Sequence, residues 1–262
     1  MQDRHSNPQR YFNEQIYTTE KYVIPFVRQT MEVDANTTVL EIGCGEGGNL
    51  MPFLNMGCKV VGVDLSEAKI KAGLAVFEKH ENRSNIELIV ADIYTTDTLG
   101  KFDLIILRDV IEHIHNQDRF MGYLKKFLTP NGKIFFGFPP WQNPFGGHQQ
   151  VCQRKLLSVT PYFHLLPRPI YAFVLKTIGG EPQKRVDAIL EIKDTGISIE
   201  RFERIVKKHE YKIDRRTWFL FNPNYEIKFK LKPRKQFALF AAIPFFRNFV
   251  TTACYYVISF KK

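Results

Sequence analysis

Apolar positions gather into short runs at residues 38–42, 59–63, 86–90, 102–107 and 133–138, and the runs are separated by glycine, proline or polar turns. Runs this short and continuous read as strands covered on both faces, the pattern of a parallel sheet. The stretches between them carry helical signals. Residues 47–56 stop at Gly57, residues 66–80 start on Ser66 with Glu67 in the first turn, and 117–128 precede a turn at Pro130-Asn-Gly132. Strand and helix alternate, which predicts an α/β fold with helices on both sheet faces. Ahead of the first strand, residues 10–31 read as a helix with Tyr11, Phe12, Tyr22, Phe26 and Val27 on its apolar face, where core packing is the expected role. Near the C-terminus, Ser198 caps a helix over 199–210, and strands follow over 211–221 and 251–260.

The first two strands carry the most chemistry. Val39-Leu-Glu-Ile-Gly-Cys-Gly-Glu-Gly-Gly-Asn-Leu50 runs from strand through a glycine-rich turn into a helix, and Val60-Val-Gly-Val-Asp64 ends the second strand in an acid. Such a βαβ unit brings backbone close to a ligand and sets a carboxylate for a ribose diol. Gly43, Gly45 and Gly48 satisfy the dinucleotide spacing G-x-G-x-x-G. A dinucleotide, however, lays its pyrophosphate on the helix N-terminus, and Glu41 and Glu46 would repel it there. A cofactor carrying an ammonium and a sulfonium suits those carboxylates better.

The turn resembles motif I of the class I S-adenosylmethionine-dependent methyltransferases. Further matches follow in order: Val63-Asp64-Leu65-Ser66, Val90-Ala-Asp92-Ile93, and Phe102-Asp-Leu-Ile-Ile-Leu-Arg-Asp109-Val-Ile-Glu112-His113-Ile114. The resemblance covers residues 35–140 and implies a Rossmann-like, mostly parallel seven-stranded sheet with an antiparallel final strand. It implies S-adenosylmethionine as cofactor and S-adenosylhomocysteine as product. Gly43, Cys44, Gly45 and Gly47 would form the turn beneath the methionine moiety, with Glu41 acting on its cationic end. Asp64 would accept the ribose hydroxyls and Leu65 pack on adenine. Asp92 and Ile93 would meet the adenine edge, although Asp92 also reads as an ordinary turn or cap residue. Arg108 and Asp109 would lie beside the reactive methyl. His113 and His148 are the candidate bases, because an imidazole accepts a proton near neutral pH. His113 also fits a purely packing role.

Residues 139–197 exceed what the fold needs between its fifth and sixth strands. Pro139-Pro-Trp141-Gln-Asn-Pro-Phe-Gly-Gly-His148 and Pro161-Tyr-Phe-His-Leu-Leu-Pro167 predict an inserted helical lid. Trp141, His148, Tyr162 and His164 are its candidate acceptor-binding residues, the alternative being that the aromatics form the lid's own core. One domain over 1–262 is expected: an N-terminal helical segment to 34, a cofactor core over 35–138, the lid, and a C-terminal part from 198.

Charge adds one feature. The net charge is +10, yet the first 200 residues hold 22 Lys and Arg against 23 Asp and Glu, while the last 62 hold 15 against 4. Lys228, Lys230, Lys232, Arg234 and Lys235 would meet an anionic membrane, a phosphorylated substrate or solvent at a strand edge. No nucleic-acid-binding module accompanies them, so nucleic acid is not the expected partner. Residues 237–260 have the length of a membrane span, but Pro244, Arg247, Asn248 and the Thr251-Thr252 pair interrupt it. An interfacial helix over 237–248 and a closing strand fit better. Met1-Gln-Asp-Arg-His5 has no apolar signal region. The four cysteines show no metal spacing, and reduced thiols in a cytoplasmic protein, at most peripheral to a membrane, are expected. No metal site is expected and oligomeric state stays open. The expected activity is methylation of an oxygen on a small glycan, lipid-linked or quinone-like acceptor. A non-catalytic cofactor-binding protein and an NAD-dependent oxidoreductase are the alternatives. Phe138-Pro-Pro-Trp141 only approximates the motif of amino-group methylation, lacking its polar first residue.

Overall fold

A computed structural model describes residues 8–96 and 98–261. The Met1–His5 segment lies outside the described residues. Eight strands form one sheet: β1 (Thr38–Ile42), β2 (Lys59–Asp64), β3 (Ile86–Val90), β4 (Phe102–Arg108), β5 (Leu128–Phe138), β6 (Tyr211–Phe221), β7 (Arg234–Lys235) and β8 (Ala253–Phe260). Their order is β3-β2-β1-β4-β5-β8-β6-β7. The first five run parallel, and β8 slots antiparallel between β5 and β6. Strand order therefore reverses between β1 and β4, which is where an open parallel sheet binds its ligand.

Alternation along the strands sends side chains to two cores. Leu40, Ile42, Ile105, Leu107, Ile134 and Phe136 pack on one face with Phe120, Phe202 and Val206 of the helices Gln117–Tyr123 and Ile199–Lys208. Val39, Leu104, Ile106, Phe135, Tyr255 and Val257 pack on the other, against Phe12, Val23, Phe26 and Val27 of the N-terminal segment. Phe12 stands edge-on to Phe77 inside this second core. Ser66, Asn116 and Ser198 cap their helices with side-chain oxygens that accept from backbone N–H groups.

Several boundaries differ from expectation for identifiable reasons. The sheet has eight strands, because Arg234–Lys235 pairs along the outer edge of β6 at Phe219 and Phe221. Two exposed cationic residues thus close that edge. The N-terminal helix is not continuous over 10–31. It runs Pro8–Thr18, widens into a π-turn at Thr19–Val23, and resumes at Ile24–Val27, where Pro25 supplies no N–H. The helix expected over 47–56 is only Met51–Asn55, since Gly47 holds φ +84° and Pro52 favours a start there. In β5 the register slips between the pairs Phe102–Leu128 and Leu104–Lys133, so the Pro130–Gly132 turn becomes an irregularity within a longer strand.

Between β5 and β6, residues 139–197 fold into the helices Lys155–Val159, Arg168–Phe173 and Gln183–Thr195 with a π-turn at Val174–Ile178. They own a separate small core built from Cys152, Leu157, Tyr171, Leu175, Val186 and Ile189. The last helix docks on the turn after β4: Gln117 Nε2 donates to both Ile111 O (3.1 Å) and Thr195 O (2.6 Å).

Candidate active site

The glycine turn leaves β1 with Gly43 and Cys44 donating to the carbonyl of Val63, which ties it to the neighbouring strand. Gly43 holds φ +73°, and a Cβ there would stand 2.7 Å from Val110. At Gly48 the crowding comes from elsewhere: a Cβ would meet Gln15 Oε1 at 2.6 Å and the Phe12 carbonyl at 2.9 Å. The third glycine of the dinucleotide spacing thus serves the close passage of the N-terminal helix. Cys44 is fully buried, and burial pushes its thiol well above the usual range, so it contributes backbone and packing.

Asp64 closes β2 and organises the turn. Its Oδ2 accepts from Gly45 N–H and its Oδ1 from Ser66 N–H, both at 2.8 Å. Each carboxylate oxygen keeps a second lone pair for a ligand. Beside it opens a cleft of about 420 Å³ lined by Ile42, Gly43, Asp64, Leu65, Asp92, Ile93 and His113, among others. Leu65 is 76% exposed, an apolar surface without cover. Asp92 lines the cleft and also accepts from Tyr94 N–H at 3.0 Å, so its turn role and its ligand-facing position coexist. Tyr94, Ile114, Arg119 and Phe120 line the same cleft, with the Arg119 guanidinium 4.7 Å from the Tyr94 ring centre. Sequence reasoning missed these four; their signal was position, on the turns and first helical turn that follow β3 and β4.

Glu41 does not line that cleft. It is 1% exposed, and its Oε1 accepts from Asn49 Nδ2 at 2.6 Å while Oε2 has no hydrogen-bond partner among the described residues. Burial pushes its carboxyl up to about 8, with Asp64 adding to the rise and Asn49 and Arg108 opposing it. Arg108, at the end of β4, donates to Asn49 Oδ1 (2.6 Å) and to Asn224 Oδ1. Thr19 Oγ1 joins the same network through Asn49. The two charged residues named from sequence thus meet in one polar cluster beneath the glycine turn.

The turn after β4 gathers a second group. Asp109 sits at φ +56° and donates its N–H to Gly137 of β5. Glu112 is 4% exposed, and among the described residues no other side chain or backbone group pairs with its carboxylate; burial first, then Asp109, push its pKa well up against its own backbone N–H. His113 packs edge-on against His148, ring centres 5.1 Å apart. Enclosure of the His113 ring lowers its pKa against the opposing pull of Asp109 and Glu191. The two candidate bases, 35 positions apart in sequence, face one another, with His113 in the cleft wall.

Of the other acceptor candidates, His164 is fully buried. Its Nε2 meets Trp141 O at 2.9 Å, its ring stands edge-on to Trp141, and burial pushes its pKa down to about 4. It is a neutral packing residue of the insertion, not part of the cleft wall. Trp141 is held between that ring and Gly196, where a Cβ would stand 2.7 Å away. Tyr162 is 37% exposed and donates to Phe249 O, joining the insertion to the C-terminal segment.

A protein-family model described as a methyltransferase domain matches residues 17–150, the span that holds every cofactor candidate. The chain belongs to that methyltransferase family, in the class I S-adenosylmethionine-dependent group. The ubiquinone biosynthesis O-methyltransferase of Pelagibacter ubique is 32% identical over 126 residues, 48% of this methyltransferase and 50% of its own length. The chain spans about half the length of the curated relatives it matches. Two solved structures share the fold. A putative sarcosine dimethylglycine methyltransferase from Galdieria sulphuraria aligns with TM-score 0.60 and 14% identity, over 93% of this chain and 86% of that one. Geranyl diphosphate C-methyltransferase from Streptomyces coelicolor aligns with TM-score 0.56 and 14% identity, over 92% and 80%. The residues present suit the family's cofactor. An uncovered leucine and the carboxylates of Asp64 and Asp92 line a largely apolar cleft, which suits an adenosine with a free ribose diol. Among the described residues no helix is long and apolar enough to cross a membrane, and all four cysteines are free and buried.

Proposed function

We propose that this chain methylates an oxygen of a small, partly apolar acceptor, with a phenolic, quinone-like ring as the first class. S-adenosylmethionine, when bound, supplies an already activated methyl group. The protein's part is to hold, orient and deprotonate. Asp64, Leu65, Asp92 and Ile93 would hold the adenosine half, with Glu41, Asn49 and Arg108 bracing the glycine turn through their hydrogen bonds. The observation carrying the reading is the His113–His148 ring pair, with His113 in the cleft wall, where an acceptor oxygen would meet an imidazole nitrogen. Positioning supplies much of the acceleration in such a displacement, and a neutral imidazole is suited to take the hydroxyl proton. The names of the sequence relatives favour the same acceptor class. The insertion would act as the lid, its last helix docked on the β4 turn.

The test is a panel of prenylated catechols, simple phenols, glycans and amines assayed for S-adenosylhomocysteine release and methylated product. Expected is O-methylation of a catechol or phenol, with His113→Ala and His148→Ala each lowering kcat roughly 10²-fold or more. Turnover confined to amines would remove the reading, and cofactor binding with no turnover on any acceptor would favour a non-catalytic role.

The C-terminal surface supports membrane proximity. Leu239 and Phe245 are 73% and 69% exposed, with Phe237, Ile243 and Phe246 exposed beside them and the lysine-rich stretch adjoining. The expected interfacial helix is instead two one-turn helices, Ala238–Ala241 and Phe246–Phe249, because Pro244 and the positive φ of Phe245 separate them. An anionic bilayer would receive both the apolar and the basic features. Co-sedimentation with phosphatidylglycerol vesicles is expected at low salt, weakened by ~0.5 M salt and lost in Leu239→Asp/Phe245→Asp. Equal binding to neutral vesicles, or none to either, would dismiss it.

A further inference from the structure

We infer that Arg119 is a cofactor-contacting residue that reads the adenine base, its guanidinium donating to a ring nitrogen. The recognised motifs do not point to it, because it stands on a helix and not at a strand end. Its guanidinium carbon lies 4.7 Å from the centre of the Tyr94 ring, and both residues line the cleft beside Asp64. Tyr94 follows Asp92 and Ile93, the pair that would meet the adenine edge, so Arg119 stands at the base end of the cleft. The inference rests on that placement of the adenosine half.

The side chain is held without being neutralised. Among the described residues it meets the Tyr94 ring and pairs with no carboxylate. The neighbouring Asp118 is engaged elsewhere, by Lys208 (2.6 Å) and His209 (3.1 Å). Tyr94 is itself fixed. Its carbonyl accepts from the Tyr123 hydroxyl at 3.2 Å, and its ring stands edge-on to Phe120 and 4.8 Å from the Tyr123 ring. Asn116 accepts from Arg119 N–H at 2.9 Å, which caps the helix and sets the backbone beneath the side chain. A guanidinium stacked on an aromatic ring has lost much of its freedom before a ligand arrives, so little more is lost on binding. Stacking uses the face of the group and leaves its N–H donors, which lie in the plane, open along the edge.

Adenine offers the complementary groups. Its N6 amino group donates, while its ring nitrogens accept. A carboxylate at Asp92 suits the amino group and the main-chain N–H of Ile93 suits N1, which leaves N3 and N7 for a guanidinium. A base without that nitrogen would keep its packing on Leu65 and lose the charge-assisted bond.

The test is calorimetric titration of the full chain with S-adenosylhomocysteine and with its 3-deaza and 7-deaza adenine analogues. Wild type, Arg119→Met and Asp92→Ala are compared, each checked for folding by its thermal transition. Arg119 is exposed, and methionine favours a helix and packs on an aromatic ring but donates no hydrogen bond. Arg119→Met is expected to bind S-adenosylhomocysteine about 10-fold more weakly. In wild type one deaza analogue should bind about 10-fold more weakly than the parent, and in Arg119→Met that difference should vanish. Unchanged affinity in Arg119→Met, a deaza penalty that persists there, or two analogues that bind wild type as the parent does would each overturn the inference. Asp92→Ala separates it from the reading beneath it. Weaker binding in that variant with no effect of Arg119→Met dismisses Arg119 and leaves the adenine site standing. No effect of either overturns the placement of the adenosine half as well.

Discussion

Asp64→Ala is expected to weaken S-adenosylhomocysteine binding about 100-fold, or near 3 kcal/mol. The loss has two sources. The carboxylate is a direct acceptor for a ribose diol, and it also anchors the glycine turn through Gly45 N–H and the start of the following helix through Ser66 N–H. Asp64→Asn retains one acceptor oxygen but places an NH₂ donor where the other oxygen received a backbone N–H. It should therefore lose about 10-fold, less than alanine. Calorimetric titration of the three proteins checks the order. Unchanged affinity in the alanine variant would show that the cofactor binds somewhere other than the cleft beside β2.

The second large effect is on stability against pH and centres on Glu41. Its folded-state pKa of about 8 lies above the ~4.3 of an unfolded glutamate. The folded protein therefore holds a proton that the unfolded chain has released. The resulting stabilisation is fully present below the unfolded value and is lost as pH rises through about 8. Between roughly pH 5 and 8 this group alone tilts unfolding free energy downward by about 1.4 kcal/mol per pH unit. Glu41→Gln keeps a side-chain oxygen to accept from Asn49 and cannot ionise. Urea unfolding of ligand-free protein at pH 5.5, 6.5, 7.5 and 8.5 should show the variant gaining on wild type by several kcal/mol across the series. Parallel curves would place Glu41 in contact with water or with a fuller countercharge than Arg108 provides.

Much of this site was legible because backbone-level chemistry has local signatures. Glycines where φ turns positive, an acid at the end of an apolar run and a serine before a helix are each decided within a few residues. The failures were of another kind. Nothing in Arg234–Lys235 marks a strand, because two residues pair through main-chain groups alone. His164 and His148 look alike in sequence, both set among aromatics, yet one is sealed in the insertion and the other reaches the β4 turn. Only the path of the chain separates them. Glu112 sits beside His113 in sequence, but the burial of its carboxylate becomes visible only in the fold. Glu41 was placed in the right neighbourhood with the wrong exposure: strand β1 is central, so its side chains face cores on both sides.

The amide of Gln117 joins two carbonyls 84 positions apart, one on the β4 turn and one at the end of the insertion. The insertion has its own core, so most of its helical surface can change without disturbing the cofactor half. Its junction is less free, because that amide is met by a main-chain carbonyl and not by a side chain. An exchange of residues 139–197 for a segment shaped to another acceptor would therefore be governed by backbone course at Thr195. Length and path there outrank amino-acid identity, and the fold treats the acceptor half as an interchangeable part on a fixed mount.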